Sequence, residues 1–512
     1  MILSAAALAL ASCVSGLNGY PGDPRLRIAE DLAAIASDET QGRVASSKGH
    51  RKAVDYVAQR LRANGVASTT LQPVPLRQFS RDWDRARLAV NRASKARVFE
   101  PVEEYFVGTS PLVKSCNVKG EAVFVGYGLD APEHGVDDLR SRDLNGKIAI
   151  IMSGTPSGLA PYIAAQLEAG KLARLSQTGA AGYVRVYSGA GERRLSYERL
   201  KRARDFAGMA WTNAAGDAQS TFGSIACSAT LNPHVSDELF DGAPYSYKEL
   251  RQMANEGTRQ LPGFEWGANV SIAARNRFDD SSSPNLLARL PGSDPDMSGE
   301  TIVLLAHLDH LGTDAEGGVF NGAYDNAFGA AILLEVAKEL AKGHAPKRTI
   351  LFAFTTAEEK GLVGADYLAN HFPEELEPVA AVNVDMPLVF NGLRDLVASG
   401  EGVSTLGETA RAVAAKQGIA IVPDPNPELA LFTRSDHYRF HARGVPSLFL
   451  LAGPASQGEQ GAQFMAMRYH RVSDDLSQDF DYAAAKELAD YVAQLTRQIA
   501  NATEKPRMLA AP

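Results

Sequence analysis

The sequence predicts an α/β fold: a mostly parallel mixed sheet flanked by helices, interrupted by a β-rich insertion. Three observations carry this. From Asn285 onward, short apolar runs alternate with amphipathic stretches, the pattern of a parallel sheet covered by helices. The middle of the chain instead has strand-like runs punctuated by glycine turns. The 512 residues, 45% hydrophobic and 22% charged, have ordinary globular composition and suffice for more than one core.

Taken in order, Pro24–Gly65 is expected to be helical. Ile28, Leu32 and Ile35 recur at helical spacing, as do Ala53, Val57 and Leu61. Gly65 stands where a helix C-cap belongs, and the polar stretch Asp38-Glu39-Thr40-Gln41-Gly42-Arg43 turns the chain between the two helices. Ala122–Tyr127 and Lys147–Ser153 read as strands, Ile163–Ser176 as a helix and Tyr183–Tyr187 as a strand. The run Asp279-Asp280-Ser281-Ser282-Ser283-Pro284 reads as a linker. Beyond it come strands at Thr301–Ala306, Thr349–Thr355, Val379–Val384 and Val445–Leu451, with helices at Phe328–Lys342, Val363–His371 and Tyr482–Ala500. Sites in such sheets form beyond the carboxyl ends of the strands.

The net charge of −8 and the lack of a basic block argue against a nucleic-acid partner. Three cysteines are too few for a disulfide scaffold. Cys116 and Cys227 can pair in an oxidising compartment or stand as buried thiols, and sequence does not decide between these. Ile2–Ala11 is apolar but too short to span a bilayer, and it suits a secretory signal. Leu10-Ala11-Ser12-Cys13 resembles a bacterial lipobox, in which Cys13 is lipidated. The basic flank usual for such a signal is missing. The expectation is an exported protein, periplasmic or held at the membrane by an N-terminal lipid, in a bacterium.

Five segments carry the chemistry. His307-Leu308-Asp309-His310 ends a buried strand, and residues two apart in extended chain share a face. Asp309 is therefore placed to fix the tautomer of a metal-bound His307. Asp325 precedes a helix, where a carboxylate is also favoured as a simple cap. Glu358-Glu359 follows another buried strand. Adjacent buried acids make sense when one binds a cation and the other serves as a base. Asp385 ends a third strand, and His470 lies in Tyr469-His470-Arg471-Val472-Ser473-Asp474-Asp475. Two imidazoles with three carboxylates suit borderline-soft divalent metals, zinc first. The number of acids suggests two ions sharing one carboxylate.

The order HxD…D(N)…EE…D…H resembles the M28 zinc aminopeptidases. So does Ser435-Asp436-His437-Tyr438-Arg439-Phe440-His441-Ala442-Arg443-Gly444-Val445-Pro446. Val123–Gly128, Ala131-Pro132-Glu133, Asn145–Ile148 and Gly179–Gly182 resemble the protease-associated (PA) domain inserted in many M28 enzymes. The resemblance implies a zinc-exopeptidase, phosphorylase/hydrolase-like fold. It implies a signal segment at 1–13, the peptidase domain's N-terminal part at 24–111, an inserted PA domain at 112–267, and the metal-carrying part at 268–505. It also implies two zinc ions per chain: His307 and Asp385 on one side, Asp325 bridging, Glu359 and His470 on the other. Glu358 would be the general base, Asp309 would orient His307, and Tyr469 would stabilise an oxyanion. Peptides are the implied substrates, and no protein partner is inferable.

The resemblance implies an aminopeptidase first. An M28-type carboxypeptidase is the nearest alternative, with Arg434 and Arg439 as candidates for its substrate carboxylate by proximity alone. A non-catalytic peptidase-like binding protein is the alternative of another class. His437 is expected to be structural or to support a ligand, and His310 and His441 to be packing or surface residues. Two departures from the family pattern stand out. Met386-Pro387 is expected to alter the exit of its strand, and Phe328 to narrow the pocket floor.

Overall fold

The computed structural model describes residues 22–92, 95–140, 142–219 and 225–509. Ile2–Ala11 and Cys13 lie outside them. The chain divides into two compact units. The first comprises residues up to Val74, Ser282–Pro425 and Arg434 onward; the second comprises Pro75–Ser281 and Asn426–Thr433.

In the first unit the sheet order is Ala420–Ile421, Asp395–Ser399, Ser447–Ala452, Glu377–Val384, Glu300–His307, Thr349–Thr355, then the end of the long strand Gly263–Leu290. The neighbours Ser447–Ala452, Glu377–Val384, Glu300–His307 and Thr349–Thr355 run parallel. Antiparallel pairing enters beside them, through Asp395–Ser399 on one side and residues 286–290 on the other. This is the mostly parallel mixed sheet expected.

The central strands are apolar throughout because both faces are covered. Ile302, Leu304 and Ala306 pack into the large core built with the helices Pro24–Ile35, Phe328–Leu340 and Tyr482–Asn501. Val303 and Leu305 pack on the opposite face with Leu368 and Phe440. Register then sets the site. His307 pairs with Thr355, and Leu305 pairs with Asn383, so the segments leaving all three strands emerge at one level.

The second unit is β-rich, with strands Ser115–Val125, Ile148–Met152, Gly182–Val186 and Ser228–Leu231 in one sheet. Cys116 and Cys227 form a disulfide here, with Cα atoms 5.7 Å apart. The unit is wider than the insertion expected at 112–267. Arg87–Arg92 pairs with residues 269–273, and Tyr105–Val107 pairs with Ser228–Leu231, so these two strands join this sheet, and the second unit starts at Pro75. Non-local strand pairing of this kind leaves no mark in local sequence. The polar run Asp279–Pro284, read as a linker, is extended within the strand Gly263–Leu290, and the two units divide inside it, between Ser281 and Ser282. Among the described residues, no helix is long and apolar enough to cross a membrane.

Candidate metal centre

The strand Glu300–His307 delivers His307, which is 1% exposed. Its Nε2 lies 3.2 Å from Asp325 Oδ1 and 3.2 Å from Asp385 Oδ1. The other oxygen of Asp325, Oδ2, lies 3.2 Å from His470 Nε2, and that nitrogen is 3.0 Å from Glu359 Oε2. Asp325 thus presents one oxygen to each of two imidazole–carboxylate groups. Among the described residues, the side chains whose donor atoms converge closely enough to hold an ion are His307, Asp325 and Asp385, and His310, Asp325 and Glu359.

The loops that carry these groups are held from behind. Asp474 accepts from the backbone N–H of Tyr324 (3.0 Å) and of Asp325 (3.1 Å). Ser435 Oγ donates to Asp385 Oδ2 at 2.5 Å and accepts from Asn383 Nδ2 at 2.6 Å. This leaves Asp385 Oδ1 to face His307. Thr355 Oγ1 donates to Asp436 Oδ2. Asn326 ties two segments together, donating to Val384 O and accepting from Met386 N. Three residues at or beside the cluster adopt positive φ: Ala357 (54°), Met386 (47°) and His470 (57°). Such strain costs on the order of 1 kcal/mol or more per residue and persists where surrounding structure over-determines it.

Charge is concentrated here. Burial opposes the charged imidazole of His307, yet Asp385 and Glu358 hold its pKa well above the usual value. His470 is raised in the same way, chiefly by Glu359 working against burial. Glu359 is held well below the carboxylate range, because His470 and His310 outweigh its burial. Glu358 is pushed well above that range by burial, reinforced by the charges of Asp385 and Glu359. Burial also raises Asp436 to about 7 and Asp309 to about 6. Two neighbouring acids with opposite shifts are the arrangement expected when one binds a cation and the other moves a proton.

The structure brings His307, Asp325, Glu359, Asp385 and His470 close to one another, and it modifies some expectations. His307 Nδ1 meets the backbone carbonyl of Asp309 at 3.1 Å, whereas the Asp309 carboxylate is 4.0 Å away. That carboxylate instead accepts from Glu358 N at 3.0 Å, so Asp309 steadies the Glu358 turn as well as the imidazole. His310 is neither surface nor plain packing, since it is fully buried with Nδ1 2.6 Å from Glu359 Oε1. Phe328, expected at the pocket floor, is fully buried in the core against Tyr324, Phe480 and Tyr482. Tyr469 lies with its ring 4.1 Å from that of His470. His437 is buried and stacks on Phe449, and His441 is buried. Arg439 donates to Gly361 O at 3.0 Å. Ser435 and Asp474 lie inside segments the sequence singles out, but what they hold depends on strands far away in the chain.

Residues 285–496 match the sequence profile of Peptidase family M28. This segment is thus similar to peptidase family M28. It contains every member of the cluster just described. A probable zinc metalloprotease of Pyrenophora teres f. teres is 41% identical over 129 residues, covering 24% of this chain and 25% of that protein. Aminopeptidase NAALADL1 of Mus musculus is 32% identical over 144 residues, covering 25% of this chain and 18% of that protein. The chain thus spans a quarter or less of the length of these curated relatives. An aminopeptidase from Aneurinibacillus sp. strain AM-1 shares the fold, with TM-score 0.56, 18% identity and 98% of each chain covered.

Proposed function

We propose that this chain is a metal-dependent exopeptidase, an aminopeptidase acting on peptides through two zinc ions and a glutamate base. The observation that carries this is Asp325, whose two oxygens face two separate imidazole–carboxylate groups. Nitrogen and carboxylate donors of this kind fit zinc. His307 and Asp385 would hold one ion, Glu359 and His470 the other, and Asp325 both. When bound, zinc polarises a carbonyl and lowers the pKa of water from about 15.7 to roughly 7.

The remaining work falls to the chain itself. Glu358, beside the ligand Glu359, takes a proton from the attacking water and returns it to the leaving amine. Asp309 fixes the backbone of Glu358, and Ser435 and His310 fix the orientation of Asp385 and Glu359. Tyr469, whose ring lies 4.1 Å from that of His470, would stabilise the oxyanion. Export fits this reading. The lipobox-like segment at Cys13 and the Cys116–Cys227 disulfide both suit an oxidising compartment such as a periplasm.

The test is zinc content together with hydrolysis of a matched peptide pair, one N-acetylated and one C-amidated. The expected result is about two zinc ions per chain and cleavage of the C-amidated peptide only. Cleavage of only the N-acetylated peptide would make the enzyme a carboxypeptidase on the same centre. A protein that holds no zinc and cleaves neither peptide would be a binding protein.

A further inference from the structure

Arg43 is fully buried, yet its guanidinium touches no carboxylate within hydrogen-bond distance among the described residues. Every acceptor it meets is a backbone carbonyl. Nε donates to Leu308 O at 2.9 Å, one NH₂ group to Ile35 O at 3.2 Å and to Asn321 O, and the other to Gly322 O at 3.0 Å. Its own carbonyl accepts from His310 N at 3.2 Å. Leu308 lies between His307 and Asp309, and Gly322 lies three residues before Asp325. One side chain therefore fastens the two loops that carry the first imidazole and the shared carboxylate.

The local backbone is shaped for this. Gln41, Gly42 and Arg43 all have positive φ. A Cβ on Gly42 would meet Gly312 O at 2.2 Å and Phe320 O at 2.6 Å, so only glycine lets the turn approach these loops. A Cβ on Gly322 would strike the His310 ring at 2.5 Å. The imidazole that holds Glu359 is thus wedged against the same clamped segment.

We infer that Arg43 is a positioning residue for the metal centre, setting the spacing of the His307 and Asp325 loops and, through His310, the seat of Glu359. This rests on the metallopeptidase reading. A guanidinium fork is needed because several carbonyls at fixed angles must be met at once, which an ammonium cannot do. Its charge alone would repel a cation, so loss of charge and loss of geometry act in opposite directions. Arg43→Lys separates them by keeping the charge and losing the fork.

The experiment titrates zinc into apo wild type, Arg43→Lys and Arg43→Met, reading dissociation constants and each protein's Tm gain over its own apo form. The cobalt absorption spectrum is recorded alongside. Outer partners of metal ligands typically contribute about 10–100-fold in affinity. The expected result for Arg43→Lys is a loss of that size, a smaller zinc-induced Tm gain and an altered cobalt spectrum. A lower apo Tm with wild-type affinity, Tm gain and spectrum would make Arg43 merely structural and overturn the inference. If Arg43→Met does not fold, Arg43→Lys decides alone. If Arg43→Lys does not fold either, zinc dissociation from His310→Gln decides: a wild-type rate would overturn the inference. Wild type that binds no zinc would overturn the metallopeptidase reading itself.

Discussion

The two units bury charge in opposite ways. In the second unit, Glu168 meets Lys171 at 2.6 Å and Arg194 at 3.0 Å, and Lys171 also donates to Gly154 O at 2.6 Å. One acid is answered by two bases, and they outweigh burial to hold Glu168 at about 2. In the first unit, Asp309, Asp325, Glu358, Glu359, Asp385, Asp436 and Asp474 gather around three imidazoles and Arg43. Buried charge is expensive unless paired. A cluster already balanced by its own side chains is architecture, and one with an acid excess at the ends of parallel strands calls for cations from outside.

The largest contrast is expected from conservative removal of one acid in each unit. Glu358→Gln should lose about 10²–10⁴-fold in kcat, the usual worth of a general base, while zinc content stays at the wild-type level. Glu168→Gln should leave kcat alone and destabilise the protein by about 3 kcal/mol, since it strands the buried Lys171. Measured kcat, zinc content and denaturant midpoints for both variants check this. Full activity in Glu358→Gln would remove the proposed base.

The disulfide should act on stability only. It closes a loop of sequence separation 111, and replacing Cys116 and Cys227 with Ser should cost about 2–4 kcal/mol without moving zinc affinity. Ser435→Ala should do the reverse. Losing the hydrogen bond that turns Asp385 toward His307 should weaken zinc by about 10-fold or somewhat more, with little change in the denaturant midpoint. Equal zinc affinity in Ser435→Ala and wild type would show that Asp385 needs no such support.

The same contrast explains what the sequence could reveal. Strand ends such as His307, Glu358 and Asp385 are legible because an apolar run followed by an acid or imidazole is a local pattern, and the parallel register aligns their ends. The second unit's limits were not legible. Arg87–Arg92 and Tyr105–Val107 join their sheet through partners more than a hundred residues away. His310, Ser435 and Arg43 were named without their roles for the same reason. Each acts on a segment distant in the chain, and Arg43 does so from a left-handed turn that propensity disfavours.

The smallest expected effects, in pH dependence, have opposite signs in the two units. His50 is buried in the first unit, and burial with the nearby Arg43 and Arg51 lowers its pKa from 6.5 to about 3. Between those values the unfolded chain binds the extra proton. This contribution to stability is therefore present above pH 6.5 and is lost as pH falls toward 3. Asp138 in the second unit is raised from 3.8 to about 6 by burial, with its carboxylate accepting from Leu129 N and Gln260 Nε2. Here the folded chain binds the extra proton, so stability is present below 3.8 and is lost as pH rises through 6. All three tryptophans, Trp83, Trp211 and Trp266, lie in the second unit, so their fluorescence reports that unit while far-UV circular dichroism reports both. Denaturant midpoints of the apo protein from pH 4 to 8 should show His50→Gln flattening the acid-side loss in the dichroism. Asp138→Asn should flatten the decline toward pH 6 in the fluorescence. If either variant keeps the wild-type slope, its buried group does not titrate as its surroundings dictate, and the division between the units must rest on the acid-rich cluster alone.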